Sequence, residues 1–327
     1  MNNKIDFVIT WVDGNDEEWL KEKNKYSSCK EDIDSSKARY RDWNLIKYWF
    51  RSVEKNASWV NKIYFVTCGH IPSWLNTKNE KLVIVNHKDY IPKEYLPTFN
   101  SCTIELHLHK IKGLSEKFVY FNDDMLINKK VSKESFFKNN LPLDNLILTP
   151  VHACNEASAC IHYNCMKIIN KYFNHNQIDR KKLLSIKNGK YLYKNMTLSI
   201  YPFNVGFRFH HVATSYLKST FEEVWDKEAT YLKTVSSHKF RENNDVSQWM
   251  FQFWQLASNK FELRDINKYK YYDLGRDFEN VIKEVNKPKH ELICLNDNNE
   301  IDDFELKKEK LIETLQFKYP SKSSFEK

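Results

Sequence analysis

The chain has 327 residues, 41% of them hydrophobic and 15% aromatic, with only 6 Gly and 8 Pro, a composition that excludes disordered, collagen-like and low-complexity proteins. Its 51 Lys and Arg against 43 Asp and Glu give a formal charge of +8, which suits phosphorylated ligands or anionic lipid. No basic stripe interleaved with aromatics is present, so a nucleic-acid partner is not expected.

Ile5 to Val12 (IDFVITWV) is β-branched and aromatic and reads as a buried strand, closed by the turn cluster Asp13-Gly14-Asn15-Asp16. Trp43, Ile46, Trp49 or Phe50, and Val53 recur at helical spacing, which predicts a helix over 43–56 with Asp42 as N-cap. Strands follow at 62–67, ending at Cys68-Gly69, and at 82–86, ending at His87. Ile104, Leu108 and Ile111 mark a helix over 103–114, on which Glu105 and His109 stand at i and i+4. Phe118 to Phe121 forms a fourth strand, ended by Asn122-Asp123-Asp124.

This alternation predicts an α/β fold with a mostly parallel, doubly wound sheet, in which every polar turn follows the carboxyl end of a strand. Such sheets bind their ligands there. Residues 131–205 have weaker periodicity and read as an insertion or lid, leaving 1–130 and 206–327 as the core. In the second core segment, Leu217, Phe221 and Val224 share a helical face. Asn244-Asp245 opens a helix carrying Trp249, Met250, Phe253 and Trp254, with Asp245 and Gln248 spaced as a capping box. A strand at 291–297 and a helix at 303–317 complete the chain. Seven cysteines without CxxC pairs or zinc-finger spacing, and no run of 18 apolar residues, fit reduced thiols in the cytoplasm.

Adjacent carboxylates such as Asp123 and Asp124 can hold a hard divalent cation against a diphosphate, or simply end a strand. Arg39 and Arg41, two apart, suit bidentate contact with phosphate oxygens, and Arg241 could grip another. His210-His211 offers a general base. Asp13 and Asp16 equally fit ordinary turn chemistry.

The order of these features resembles the Stealth family, which includes bacterial capsular polysaccharide phosphotransferases. The similarity lies in IDFVITWVDGND (5–16), in RYRDWNLIKYWFRSVEKNASWVNKIYFVTCGHIPSWL (39–75), and in LPTFNSCTIELHLHKIKGLSEKFVYFNDD (96–124). It continues in HKFRENNDVSQWMFQFW (238–254), ICLND (293–297) and YPSKSSFE (319–326). The resemblance implies a nucleotide-sugar-transferase-like sheet with Glu105, Asp124, His211 and Arg241 in the active site. Asp13, Gly14, Arg39, Arg41 and Asp245 would stand near the substrate phosphates, and Asp123 with Asp124 at a divalent metal, Mg²⁺ or Mn²⁺. Prolines usual after the third-region histidine are absent from His211-Val212-Ala213-Thr214-Ser215, which keeps His210 as the alternative counterpart.

The implied reaction moves hexose-1-phosphate from a nucleotide sugar to a polysaccharide or lipid-linked glycan. Its rivals are a conventional glycosyltransferase releasing UDP and a non-catalytic protein that binds anionic glycans. With a lipid-linked acceptor, the amphipathic C-terminal helix is a candidate contact with the inner face of the membrane.

Overall fold

A computed structural model describes residues 4–27, 41–152, 156–298 and 301–327; Arg39 lies outside the described residues. The strands are β1 (Ile5–Thr10), β2 (Ile63–Thr67), β3 (Leu82–Asn86), β4 (Lys117–Phe121), β5 (Met125–Ile127) and β6 (Phe137–Lys138). They continue with β7 (Leu141–Asp144), β8 (Thr214–Leu217), β9 (Glu262–Leu263), β10 (Tyr269–Asp273) and β11 (Leu292–Asn296). The helices are α1 (Glu17–Ser27), α2 (Ile46–Asn56), α3 (Ser101–Leu106), α4 (Ala157–Tyr172) and α5 (Arg180–Leu183). After them come α6 (Leu192–Leu198), α7 (Lys218–Ser237), α8 (Trp249–Ala257), α9 (Phe278–Asn286) and α10 (Phe304–Lys318).

The central sheet has the order β3-β2-β1-β4-β8, with the first four strands parallel and β8 antiparallel at the edge. Register places Phe7 opposite both Ile63 and Val119. Both faces of these strands are covered, which is why the sequence shows continuous apolar runs rather than alternation. Phe7, Ile9, Phe65 and Phe121 point into a core shared with α2, α9 and α10. Val8, Val66, Phe118 and Tyr120 point into a second core under α4, α7 and α8.

Strand order reverses between β1 and β4, so the crevice outside their carboxyl ends is the natural ligand position. A second sheet, β10-β11-β5, grows from the same place. β5 starts directly after Asp124, and the Leu295 N–H donates to the Asp124 carbonyl at 2.8 Å. A third small sheet, β6-β7-β9, joins segment 131–205 to the later chain, and α4 sends Ile161, Cys165 and Ile169 into the second core.

Several local expectations are corrected. Helix α2 begins at Ile46 with Leu45 as N-cap, because Asp42 turns back to accept the Asn44 N–H at 2.6 Å. The helix expected over 103–114 stops at Leu106, since His107 leaves helical backbone geometry at φ −99°, ψ 0°. Residues 108–110 continue as a 3-10 turn, so Glu105 and His109 do not share one helical face. Leu217 belongs to β8, and the helical face with Phe221 and Val224 starts only at Lys218. Asp245 is no cap: α8 starts at Trp249 with Gln248 before it and no side-chain cap. The described cysteines, Cys68, Cys102, Cys160, Cys165 and Cys294, are all free thiols, as expected. No described helix is long and apolar enough to cross a membrane.

At Gly206 the backbone φ is 142°, and a Cβ there would stand 2.3 Å from the Thr149 carbonyl oxygen. Both backbone strain and collision penalise any side chain. Gly206→Ala is therefore expected to lower stability by more than about 2 kcal/mol in denaturant unfolding. An unchanged midpoint and slope would contradict this close approach.

Candidate active site

Three loops meet at the carboxyl edge of the parallel strands. In the first, after β1, Asp13 Oδ1 accepts the Asn15 N–H at 3.0 Å, and the Asp13 N–H donates to His70 Nδ1 at 3.2 Å, with Gly14 in the turn between. Asp16 Oδ1 accepts the Trp19 N–H at 2.8 Å and stands 3.4 Å from His70 Nε2. These two carboxylates thus organise the turn and the start of α1, the local role that DGND also allowed.

The second loop follows β4. Asp124 Oδ2 accepts the Cys294 thiol at 3.2 Å and lies 3.8 Å from His211 Nε2. Its other oxygen, Oδ1, is buried without a hydrogen-bond partner among the described residues. A buried carboxylate oxygen is costly unless something compensates it. His211 Nε2 is 2.8 Å from the Asn122 amide nitrogen. An amide nitrogen only donates, so Nε2 accepts and the neutral ring carries its proton on Nδ1. Tyr271, on β10, flanks the imidazole at 6.2 Å with its ring 26° from parallel.

Electrostatics sharpen this picture. Asp123 retains accessible surface, yet desolvation by the surrounding loops, with the charges of Asp124 and Asp42 added, raises its carboxyl to about 7. Burial pushes the Cys294 thiol well up, and the Asp124 charge pushes it further, so Cys294 is a protonated donor. Asp124, His211 and Cys294 each place one potential ligand atom within 4.8 Å of the others. The thiol donates to Asp124 Oδ2, and the group offers carboxylate oxygens beside an imidazole and a sulfur. Oxygen donors of this kind suit Mg²⁺ or Mn²⁺.

Arg41 stands beside this loop. Its guanidinium makes two bonds to Asp297, at 3.0 and 2.7 Å, and one to the Asn298 carbonyl at 2.5 Å. This fork ties the chain before α2 to the residues that follow β11.

The third wall is α3 with residues 238–248. Glu105 Oε1 accepts the Tyr120 hydroxyl at 3.2 Å, and Oε2 accepts the Gln248 N–H at 3.4 Å. Tyr120 also meets the Thr10 hydroxyl at 3.0 Å, which couples Glu105 to the ends of β1 and β4. Arg241 donates to Ser101 Oγ at 2.8 Å, at the first residue of α3. Asp245 is fully buried and accepts from Asn100 at 2.7 Å and from the Glu242 N–H at 3.0 Å, and contacts His238 Nδ1 at 2.6 Å. Its role is to tie the 238–248 loop to the cap of α3.

The histidines divide by environment. Burial drives His107 and His109 down to about 3, so both are neutral, and His109 packs against Phe221 and Trp225. His210 is likewise driven well below its usual value by burial and by Arg208 and Arg264, with its ring edge-on to Tyr269. His211, not His210, is the one beside Asp124. Asp124, His211 and Cys294 thus come together, and Asp123 stands next to Asp124 in the chain but outside this group. Glu105, Arg241 and Asp245 form a neighbouring wall joined to them through β4. Sequence reasoning missed Tyr271 altogether and gave Cys294 no role, although ICLND lay within a motif already singled out.

Residues 3–28 match conserved region 1 of the Stealth proteins, and residues 39–143 match conserved region 2. The capsular polysaccharide phosphotransferase WcwK of Streptococcus pneumoniae is 44% identical over 330 residues, which cover 99% of this chain and 98% of that protein. The receptor polysaccharide phosphotransferase WefC of Streptococcus oralis is 39% identical over 331 residues, 99% of each chain. The apo structure of the bifunctional glycosyltransferase WbbM aligns with a TM-score of 0.42 at 12% identity, over 96% of this chain and 50% of that one, too distant to argue from. With both conserved regions in place and such identity running nearly end to end, the chain belongs to the Stealth family.

Proposed function

We propose that this protein transfers a hexose-1-phosphate from a nucleotide-diphosphate sugar, in the first instance a UDP-sugar, to a hydroxyl of a polysaccharide or lipid-linked glycan. The acceptor oxygen forms a bond to the sugar-bearing phosphorus, the bridging oxygen leaves with the nucleoside monophosphate, and a phosphodiester results. The reading rests on relatives named as polysaccharide phosphotransferases. One structural observation carries it: a carboxylate with a buried, unpartnered oxygen stands 3.8 Å from an accessible imidazole at the point where strand order reverses.

His211 Nε2 takes the hydroxyl proton once the acceptor hydroxyl displaces the Asn122 amide N–H that occupies this nitrogen in the free protein. Glu105 is buried and already bonded on both oxygens, so it shapes the wall of the cleft. Arg241 supplies positive charge from the α3 side. Asp123 and Asp124 would hold a divalent cation, which supplies neutralisation of the diphosphate charge. Transfer of this kind asks for positioning and charge compensation more than covalent chemistry.

The nucleotide product tests the reading. Incubation with a panel of UDP-sugars, Mg²⁺ or Mn²⁺ and a capsular oligosaccharide acceptor is expected to release UMP. Release of UDP would mean a conventional glycosyltransferase, and donors left intact throughout would mean a glycan-binding protein.

A further inference from the structure

Of the thirteen large apolar side chains exposed among the described residues, seven fall within 184–203. Ile186 is 86% exposed, Ile200 82% and Tyr193 76%, values at which a side chain has almost no contact with its own protein. Scattered apolar residues on a surface need no explanation, but a cluster of this density in one short segment does.

The segment is built rather than loose. Buried Asn188 donates to the carbonyls of Lys182 and Leu183, and buried Asn195 donates to those of Leu146 and Leu183. Asn195 also accepts the Leu148 N–H, and Asn204 anchors the far end through the Phe173 carbonyl. Asn195 lies on the inner side of α6, Tyr193 and Met196 at i and i+3 are exposed on its outer side, and Ile200 is exposed just past the end of the helix. Tyr201 and Phe203 extend the apolar surface as a ring pair with centroids 5.8 Å apart.

Charge identifies the occupant. Between residues 179 and 203 six Lys and Arg face a single acid, Asp179, for a net charge of +5. The partners of Lys182, Lys187 and Lys194 are carbonyls and a hydroxyl, which leave the charge uncompensated. A second copy of the same surface would repel it. Carbohydrate binding uses flat rings framed by acids and amides, which does not account for the aliphatic tips of Ile186, Met196 and Ile200. Apolar side chains set among cations match a lipid surface with anionic headgroups, where the tips enter the acyl boundary and the cations meet the phosphates.

We propose that residues 180–203 dock the protein onto an anionic membrane. The inference is independent of which bond the enzyme forms. On α10, by comparison, Leu311 and Leu315 are committed to the core and only Leu306 and Phe317 among its large apolar side chains are exposed.

Sedimentation of the full chain with vesicles tests it, using phosphatidylcholine alone and phosphatidylcholine with one third phosphatidylglycerol. Binding is expected to the anionic vesicles only and to weaken with salt, as surface electrostatics require. Ile186→Ser with Ile200→Ser should reduce the partition coefficient at least tenfold. Lys187→Glu with Lys190→Glu should reduce it by roughly fivefold or more per charge. Both pairs are exposed, so circular dichroism melts are expected to match the parent. Failure to bind anionic vesicles, equal binding to both vesicle types, or undiminished binding of the two folded variants would overturn the proposal.

Discussion

Asp124→Asn is expected to lower turnover by on the order of 10³-fold while leaving thermal stability nearly unchanged. Asparagine preserves the shape and retains an acceptor for the Cys294 thiol, and the backbone carbonyl at this position is held independently by the Leu295 N–H. What disappears is the negative charge of a carboxylate whose Oδ1 has no hydrogen-bond partner among the described residues and whose Oδ2 stands 3.8 Å from His211. Removing one of two adjacent carboxylates relieves repulsion, so the fold should not suffer. Steady-state kinetics beside a melting curve separate the two effects. A variant keeping more than a tenth of the wild-type turnover would remove Asp124 from the proposed chemistry.

The largest stability effect is expected far from the site, at Arg51→Ala. The C-terminal strand of chain closes over α2: the Asn76 N–H donates to the Phe325 carbonyl at 2.8 Å, and the Lys327 N–H donates to the Trp74 carbonyl at 2.9 Å. Beneath it Arg51 reaches Glu326 with two bonds of 2.8 Å and donates to the Tyr319 carbonyl at 2.7 Å, with both side chains almost fully buried. Truncating one member leaves a buried charge with too few partners, which costs about 4 kcal/mol. Replacing both, Arg51→Met with Glu326→Gln, should recover part of that loss, because the stranded charge is then gone.

The same pair sets an acid limit. Burial alone would raise the Glu326 carboxyl, but the Arg51 bonds and the Ser323 N–H overcome it and hold the group at about 2, against an ordinary 4.5. A depressed folded value stabilises the protein above the unfolded value, and that stabilisation is lost as pH falls through the folded one. Wild-type stability should therefore decline between pH 4.5 and about 2, and Arg51→Ala should show a shallower decline across that window. Urea unfolding at pH 6 and pH 3 measures the difference; parallel losses in both proteins would exclude this pair as the cause.

Much of the fold was legible because parallel strands covered on both faces write continuous β-branched and aromatic runs. β2 and β3 stand where KIYFVT and LVIVN placed them, and the polar ends after β1 and β4 flank the strand-order reversal. Other features were not legible for identifiable reasons. Cys294 reaches Asp124, 170 residues away, through antiparallel pairing of β11 with β5, and Tyr271 is set beside His211 by the parallel pairing of β10 with β11, contacts that no local periodicity encodes. Asp245 and Gln248 have the spacing of a capping box, yet a buried contact with Asn100, 145 residues away, takes the carboxylate elsewhere. The break after Leu106 separates Glu105 from His109, since their common face required a helix that His107 does not continue. Arg41 shows the same limit: its ion pair with Asp297, a partner 256 residues distant, leaves no local signal.

The fate of the phosphorus bonded to the sugar decides the central claim. With a UDP-sugar carrying ³²P at that atom, the wild-type protein should transfer the label into the glycan, where it resists phosphatase as a diester, and Asp124→Asn should transfer almost none. Label recovered in free UDP, with unlabelled sugar in the glycan, would contradict the account.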